Sequence, residues 1–124
     1  MTVTNSDDVA AVIAIAQTYY QAMVEGDRAT IQQIFDARAP VVGTFDGTFM
    51  WQTLEDFIVE TEQSIGSHGD FACTIDNVQV IGDTATVAVG GRYWKRWFTD
   101  QLAMVKTEGA WRIIAKTFDV PPQT

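Results

Sequence analysis

Apolar residues recur at three- and four-residue steps through the first part of the chain: Val9, Val12, Ile13, Ala16, Tyr20, Met23 and Val24. That is the period of one face of a helix. Asn5, Ser6 and Asp7 offer side chains able to cap its start, and Gly26 ends it. Asp27 caps a second, short helix holding Ile31, Ile34 and Phe35, which stops before Pro40. The period then shortens to two. Residues 41–45 and 48–51 predict a hairpin around Asp46-Gly47, a pair suited to a type I′ turn. Thr53 and Asp56 form a capping box for a third helix, with Leu54, Phe57, Ile58, Thr61 and Ile65 as its stripe and Gly66 as its end.

The rest of the chain alternates as strands do. Residues 71–81 and 84–94 are expected to pair through a Gly82-Asp83 turn, with Lys95-Arg96 turning into residues 97–106 and a three-residue loop, 107–109, leading into 110–119. In that register Lys106 faces Ala110, Leu102 faces Ile114, and Asp100 lies directly opposite Lys116 and Gly91. One sheet face then carries Phe98, Leu102, Met104, Ile114 and Phe118, joined by Val87, Val89 and Tyr93, with Asp100 and Lys116 among them. A carboxylate and an ammonium in an apolar field are costly unless paired. The other face, with Thr86, Ala88, Trp97, Ala103, Val105, Trp111 and Ile113, is also largely apolar. Helices followed by strands predict an α+β fold: three N-terminal helices packed on a curved antiparallel sheet. A second apolar face predicts a homodimer through the outer side of the sheet.

Length predicts one domain over residues 1–124, with an ordered core of about 7–119. The chain is 47% hydrophobic and 19% charged, as expected of a globular protein. Its formal net charge of -8 disfavours nucleic acid and anionic membrane surfaces as partners. One cysteine, Cys73, excludes an internal disulfide and a thiolate zinc site, and one histidine, His68, leaves metal binding to carboxylates. No phosphate loop, nucleophile elbow or metal-ligand spacing is present, so neither metal nor cofactor is expected. There is no bilayer-length apolar run and no secretion signal at the start, which predicts a cytoplasmic location.

Residues 19–27, Tyr-Tyr-Gln-Ala-Met-Val-Glu-Gly-Asp, resemble the end of the first helix in nuclear transport factor 2-like (NTF2-like) proteins. Residues 98–102 (Phe-Thr-Asp-Gln-Leu), 109–113 (Gly-Ala-Trp-Arg-Ile) and 116–118 (Lys-Thr-Phe) resemble the C-terminal signature of the lumazine-binding branch of that superfamily, and Asp46-Gly47 fits the same pattern. The resemblance covers residues 7–119. It implies a cystatin-like α+β cone with a pocket between helices and sheet. Steroid delta-isomerases share this outline, and one of them holds an aspartic acid neutral beside a tyrosine. By that likeness Tyr19 falls at the tyrosine and Asp100 near the acid. The position of the isomerase base, however, reads Thr44, and Lys116 is placed to hold Asp100 ionised. Asp36 stands where relatives often carry His.

The expected site is an apolar pocket for a small aromatic or polar ligand, floored by Asp100 and Lys116 and walled by Tyr19, Trp51, Phe57, Tyr93, Met104 and Phe118. Asp100 and Lys116 also fit a register-setting cross-strand pair. Helical periodicity puts Tyr20 in the core stripe and Tyr19 at its edge. His68, in a Gly/Ser/Asp loop, is expected on the surface, and the basic run 92–97 at a hairpin tip or dimer rim. An acid–base enzyme of the isomerase, dehydratase or cyclase type would use Asp100 and Tyr19 with a second titrating group, for which Asp46, Glu60 and His68 are the candidates. A structural or interaction module, with its pocket filled by its own side chains, is the third alternative.

Overall fold

The structure, a computed structural model, describes residues 6–123; the Asn5 cap lies outside them. Three helices, α1 (Ser6–Glu25), α2 (Arg28–Ile34) and α3 (Leu54–Gln63), pack on a sheet built from β1 (Val41–Phe45), β2 (Thr48–Gln52), β3 (Cys73–Ile81), β4 (Thr84–Tyr93), β5 (Arg96–Thr107) and β6 (Ala110–Val120). Strand order is β2-β1-β6-β5-β4-β3. Neighbours run antiparallel except β1 and β6, which are parallel, so the sheet is mixed rather than wholly antiparallel. A parallel pair needs a long connection between its strands, and here α3 and four further strands intervene. Asp27 caps α2 by accepting from the Thr30 N–H at 3.2 Å, and Thr53 caps α3 by accepting from the Asp56 N–H at 3.1 Å.

Three hairpin turns have both central residues at positive φ: Asp46-Gly47 (52° and 81°), Trp94-Lys95 (54° and 60°) and Glu108-Gly109 (52° and 79°). That geometry matches the twist of the flanking strands. Two of these turns differ from expectation by one residue. The β4–β5 turn is Trp94-Lys95, not Lys95-Arg96, and the last turn has two residues, not three. The backbone of Trp94-Lys95 is held from outside: the Trp94 N–H donates to His68 Nδ1 at 2.9 Å and the Lys95 N–H to the His68 carbonyl at 3.2 Å.

Asp100 therefore lies opposite Val89 and Phe118, while Lys116 lies opposite Leu102. The direct Asp100–Lys116 pairing expected from sequence is corrected by two positions. One comes from the shorter turn and one from a β-bulge: Met104 pairs with Ile113 and Ala103 with Ala115, which leaves Ile114 as the extra residue. Two one-residue slips restore parity, so Asp100 and Lys116 still point to the same side. Between turn and bulge the parity is reversed. Trp111 and Ile113 are buried instead of lying on the outer face, and Ile114 is 41% exposed instead of lying in the core. The segment before β1 docks at this irregularity, with the Asp36 N–H donating to the Ile113 carbonyl at 2.8 Å.

α1 lays Val12, Ala16, Tyr19, Tyr20 and Met23 against the inner sheet face. Tyr20 fits because Gly91 has no side chain: a Cβ there would sit 2.2 Å from the tyrosine ring. Gly43 plays the same part on β1, where a Cβ would meet the Phe118 carbonyl oxygen at 2.1 Å.

Candidate functional site

Asp100 is 0% and Lys116 3% exposed. The bulge brings Lys116 onto the inner face of β6, and regular alternation along β5 puts Asp100 there too. Their closest approach, Lys116 Nζ to Asp100 Oδ2, is 3.7 Å, an ion pair longer than a hydrogen bond. The same Oδ2 accepts from the Tyr19 hydroxyl at 2.5 Å. Asp100 Oδ1 has no partner among the described residues. Lys116 Nζ lies 3.5 Å from the Met23 thioether and within 4.3, 5.2 and 5.5 Å of the ring centres of Phe57, Tyr19 and Phe118.

Burial pushes the Asp100 carboxyl up from its ordinary range, while Lys116 and Tyr19 pull it down. Burial likewise lowers the Lys116 ammonium, with Asp100 and Glu60 opposing. Burial, more than either partner, thus drives both groups towards their neutral forms. The Tyr19 hydroxyl is held well above its usual range by burial and by the adjacent carboxylate.

Lys116 lines a cavity together with Val41, Phe45, Met50, Gln52, Phe57, Glu60, Tyr93, Trp94, Phe98 and Phe118. Its free space, about 10 Å³, is room for roughly one water. Of the expected pocket residues, Phe57, Tyr93, Lys116 and Phe118 line it. Asp100 and Tyr19 stand behind Lys116 in the core, and Met104 is buried elsewhere along β5. Trp51 is 65% exposed on β2 and lines nothing here: it faces away from the core while its neighbours Met50 and Gln52 face inward. Tyr19, expected at the edge of the α1 stripe, is as buried as Tyr20. The Tyr20 hydroxyl has no partner among the described residues.

Glu60, one of three guesses at a second titrating group, is the one that lines the cavity. It is half-buried, accepts from Gln52 Nε2 at 3.1 Å, and has its carboxyl pushed up by burial. Asp46 instead forms an exposed ion pair with Arg96 at 2.7 Å, and this pair holds its carboxyl low. His68 is not a surface residue. It is buried, stacks on Tyr93 with ring centres 4.1 Å apart, and uses Nδ1 to anchor the Trp94 turn. Burial lowers its imidazolium. The pairing of loop and turn carries no sequence signal, which is why it was missed. The cavity residues Met50 and Trp94 were missed as well. Trp94 was hidden by the turn assignment and Met50 by the single-residue choice of face on β2. The basic run is tied down locally, with Arg92 Nη1 donating to the Asp70 carbonyl at 2.9 Å and Arg96 Nη2 to the Pro121 carbonyl at 3.0 Å.

Among the described residues no group of three or more His, Cys, Asp or Glu is arranged to hold a metal, and no helix is long and apolar enough to cross a membrane.

With this geometry in view, residues 7–119 match the family described as "Putative lumazine-binding". The chain belongs to that NTF2-like family. A crystal structure of an NTF2-like protein from Silicibacter pomeroyi superposes on this NTF2-like chain with a TM-score of 0.88 and 33% identity, covering 95% of this chain and 99% of that one. A ketosteroid isomerase-like protein from Erwinia carotovora shares the fold alone, at TM-score 0.72 and 18% identity over 94% of this chain and 98% of the other. A protein named aldolase FrzH, from Cladobotryum, is 29% identical over 120 residues, 95% of each chain.

Proposed function

We propose that this NTF2-like chain binds a small, partly aromatic molecule bearing a carbonyl or carboxylate group. The molecule enters the cavity floored by Lys116, with Asp100 and Tyr19 behind it. One observation carries this reading: Lys116 brings an ammonium to an aromatic-walled cavity, yet its polar neighbours among the described residues are a thioether and a carboxylate 3.7 Å away. An oxygen acceptor on a ligand would complete its hydrogen bonding. Entry requires the half-buried Met50, Gln52 and Trp94 to yield, because the resting space holds about one water. The protein acts as a homodimer through the outer sheet face, where Ile114 is 41% exposed beside the half-buried Ala103 and Val105, and Trp97, 46% exposed, stands at the other end of β5.

Thermal-shift screening of wild type and Asp100→Asn against an aromatic metabolite library tests the floor. Compounds that stabilise wild type more than the variant support it; compounds that stabilise both alike argue against it. If no compound acts on either, the cone is simply filled by its own side chains. Sedimentation of Ala103→Glu tests the dimer: a shift towards monomer is expected, and a wild-type protein that is monomeric at all concentrations ends the proposal.

An acid–base enzyme is favoured by a different observation, the presence of Glu60 in the same cavity as Lys116. The relative named as an aldolase is consistent with proton transfer beside a carbonyl. The mark of such chemistry is exchange of a ligand's α-carbon protons with deuterated water. Exchange that survives Glu60→Gln removes Glu60 from that role.

A further inference from the structure

We propose that Lys116 is a nucleophile that captures aldehydes or ketones as an imine inside the cavity, with Glu60 as the proton carrier. This rests on the pocket reading above and extends it from holding a carbonyl to bonding with it.

The geometry separates Lys116 from an ordinary structural lysine. A buried ammonium kept only for stability is normally held by several oxygen acceptors at hydrogen-bond length. Among the described residues Lys116 has none: its carboxylate partner stays at 3.7 Å and already accepts a 2.5 Å bond from Tyr19 on the same oxygen. The remaining neighbours are a thioether and three rings. These surroundings tolerate an uncharged amine, and burial lowers the ammonium in the same direction. Lys116 also lines the cavity, and the half-buried Glu60 lines the same cavity, near enough to act on the Lys116 ammonium. Desolvated lysines beside a substrate cavity are the usual source of amine nucleophiles at neutral pH.

The step balances without any further reactant. The Nζ lone pair forms a bond to the carbonyl carbon, and the C=O π pair moves to oxygen. That oxygen takes a proton from the Glu60 carboxyl, whose acid form burial favours. Nitrogen returns a proton to Glu60, Glu60 passes it to the new hydroxyl, and the C–O bond breaks so that water leaves as C=N forms; the iminium N–H then gives its proton back to Glu60. Amine and carbonyl give imine and one water, with Glu60 restored by the proton that nitrogen releases.

The test uses the whole protein, 4-hydroxybenzaldehyde and cyanoborohydride, read by intact mass and peptide mapping. The reduced adduct adds the mass of the aldehyde less one oxygen atom. Lys116 is expected to carry it, with the exposed Lys95 and half-buried Lys106 labelled about tenfold less at pH 7, since a desolvated lysine beside the cavity meets the bound aldehyde as a free amine. Glu60→Gln is expected to slow Lys116 labelling about tenfold or more and to flatten its dependence on pH. In parallel, amide and indole NMR shifts of Trp94 and Phe118 are followed with 4-hydroxybenzyl alcohol, which binds but cannot form an imine. Shifts with the alcohol but no Lys116 adduct with the aldehyde overturn the imine and leave the pocket standing. No shifts with either compound remove the pocket and the imine together. Labelling confined to Lys95 and the N-terminus also overturns the proposal.

Discussion

Lys116 stands opposite Leu102, not opposite Asp100, and still reaches within 3.7 Å of the Asp100 carboxylate across the diagonal between β5 and β6. The contact is one-sided, because Asp100 gives its shorter bond to Tyr19. Removing one member leaves the other buried without compensation. Asp100→Asn or Lys116→Met should each cost about 3–5 kcal/mol in urea unfolding. The double variant should recover a large part of that loss, since neither charge then remains. Strictly additive losses would show the two groups to be uncoupled.

Glu60 leads to a less intuitive result. Its folded-state pKa is raised, so the fold prefers the protonated acid. Stability from that preference is complete below the ordinary value of 4.5 and is lost as pH rises through the higher folded value. Glu60→Gln, which can keep a hydrogen bond to Gln52, should therefore melt at least as high as wild type near pH 7. Below pH 4.5 the two should converge. Parallel melting curves at all pH values would mean that burial of Glu60 does not matter.

His68 has the opposite sense. Its folded-state pKa is depressed by burial, and Nδ1 must be unprotonated to accept from the Trp94 N–H. Its contribution is present above the ordinary value of 6.5 and is lost as pH falls through the lower folded value. Melting temperature of wild type should fall relative to His68→Phe as pH drops from 7 to 5. Trp94 fluorescence should change over the same interval, because the turn that carries the indole loses its anchor. An unchanged difference between the two proteins would separate His68 from the turn.

Gly91→Ala places a methyl 2.2 Å from the Tyr20 ring, and overpacking of this kind costs about 1–3 kcal/mol. Tyr20→Leu in the same chain should relieve part of it. Gly43→Ala meets a backbone oxygen at 2.1 Å, so no single side-chain change should rescue it. Equal rescue of both would contradict these two packing arrangements.

Much of the architecture was legible in the chain because its signals are local. Thr53-x-x-Asp56, Asp27 before a short apolar run, and Asp46-Gly47 each name their own structure. The shared face of Asp100 and Lys116 was also legible, but for an incomplete reason. Two single-residue departures cancelled, and only the adjacent Ile113-Ile114 within an alternating strand hinted at the bulge. Family likeness placed Tyr19 near Asp100 where periodicity alone put it at an edge. What stayed hidden was long-range: His68 on the Trp94 turn and Gly91 under Tyr20. Neither pair leaves a mark in the spacing of its partners, since each is set by how the elements settle on one another; Glu60 was among the candidates, and only the fold selects it over Asp46 and His68.

The parallel docking of β1 on β6 has a consequence for how the chain folds. Residues 41–45 find their second neighbour only in residues 116–120, after α3 and four strands of intervening chain. Synthesis must pass β6 before that ladder can close, and until then the β1–β2 hairpin keeps an open edge. Losing only the last few residues of β6 would therefore strand the hairpin as well, far upstream of the cut.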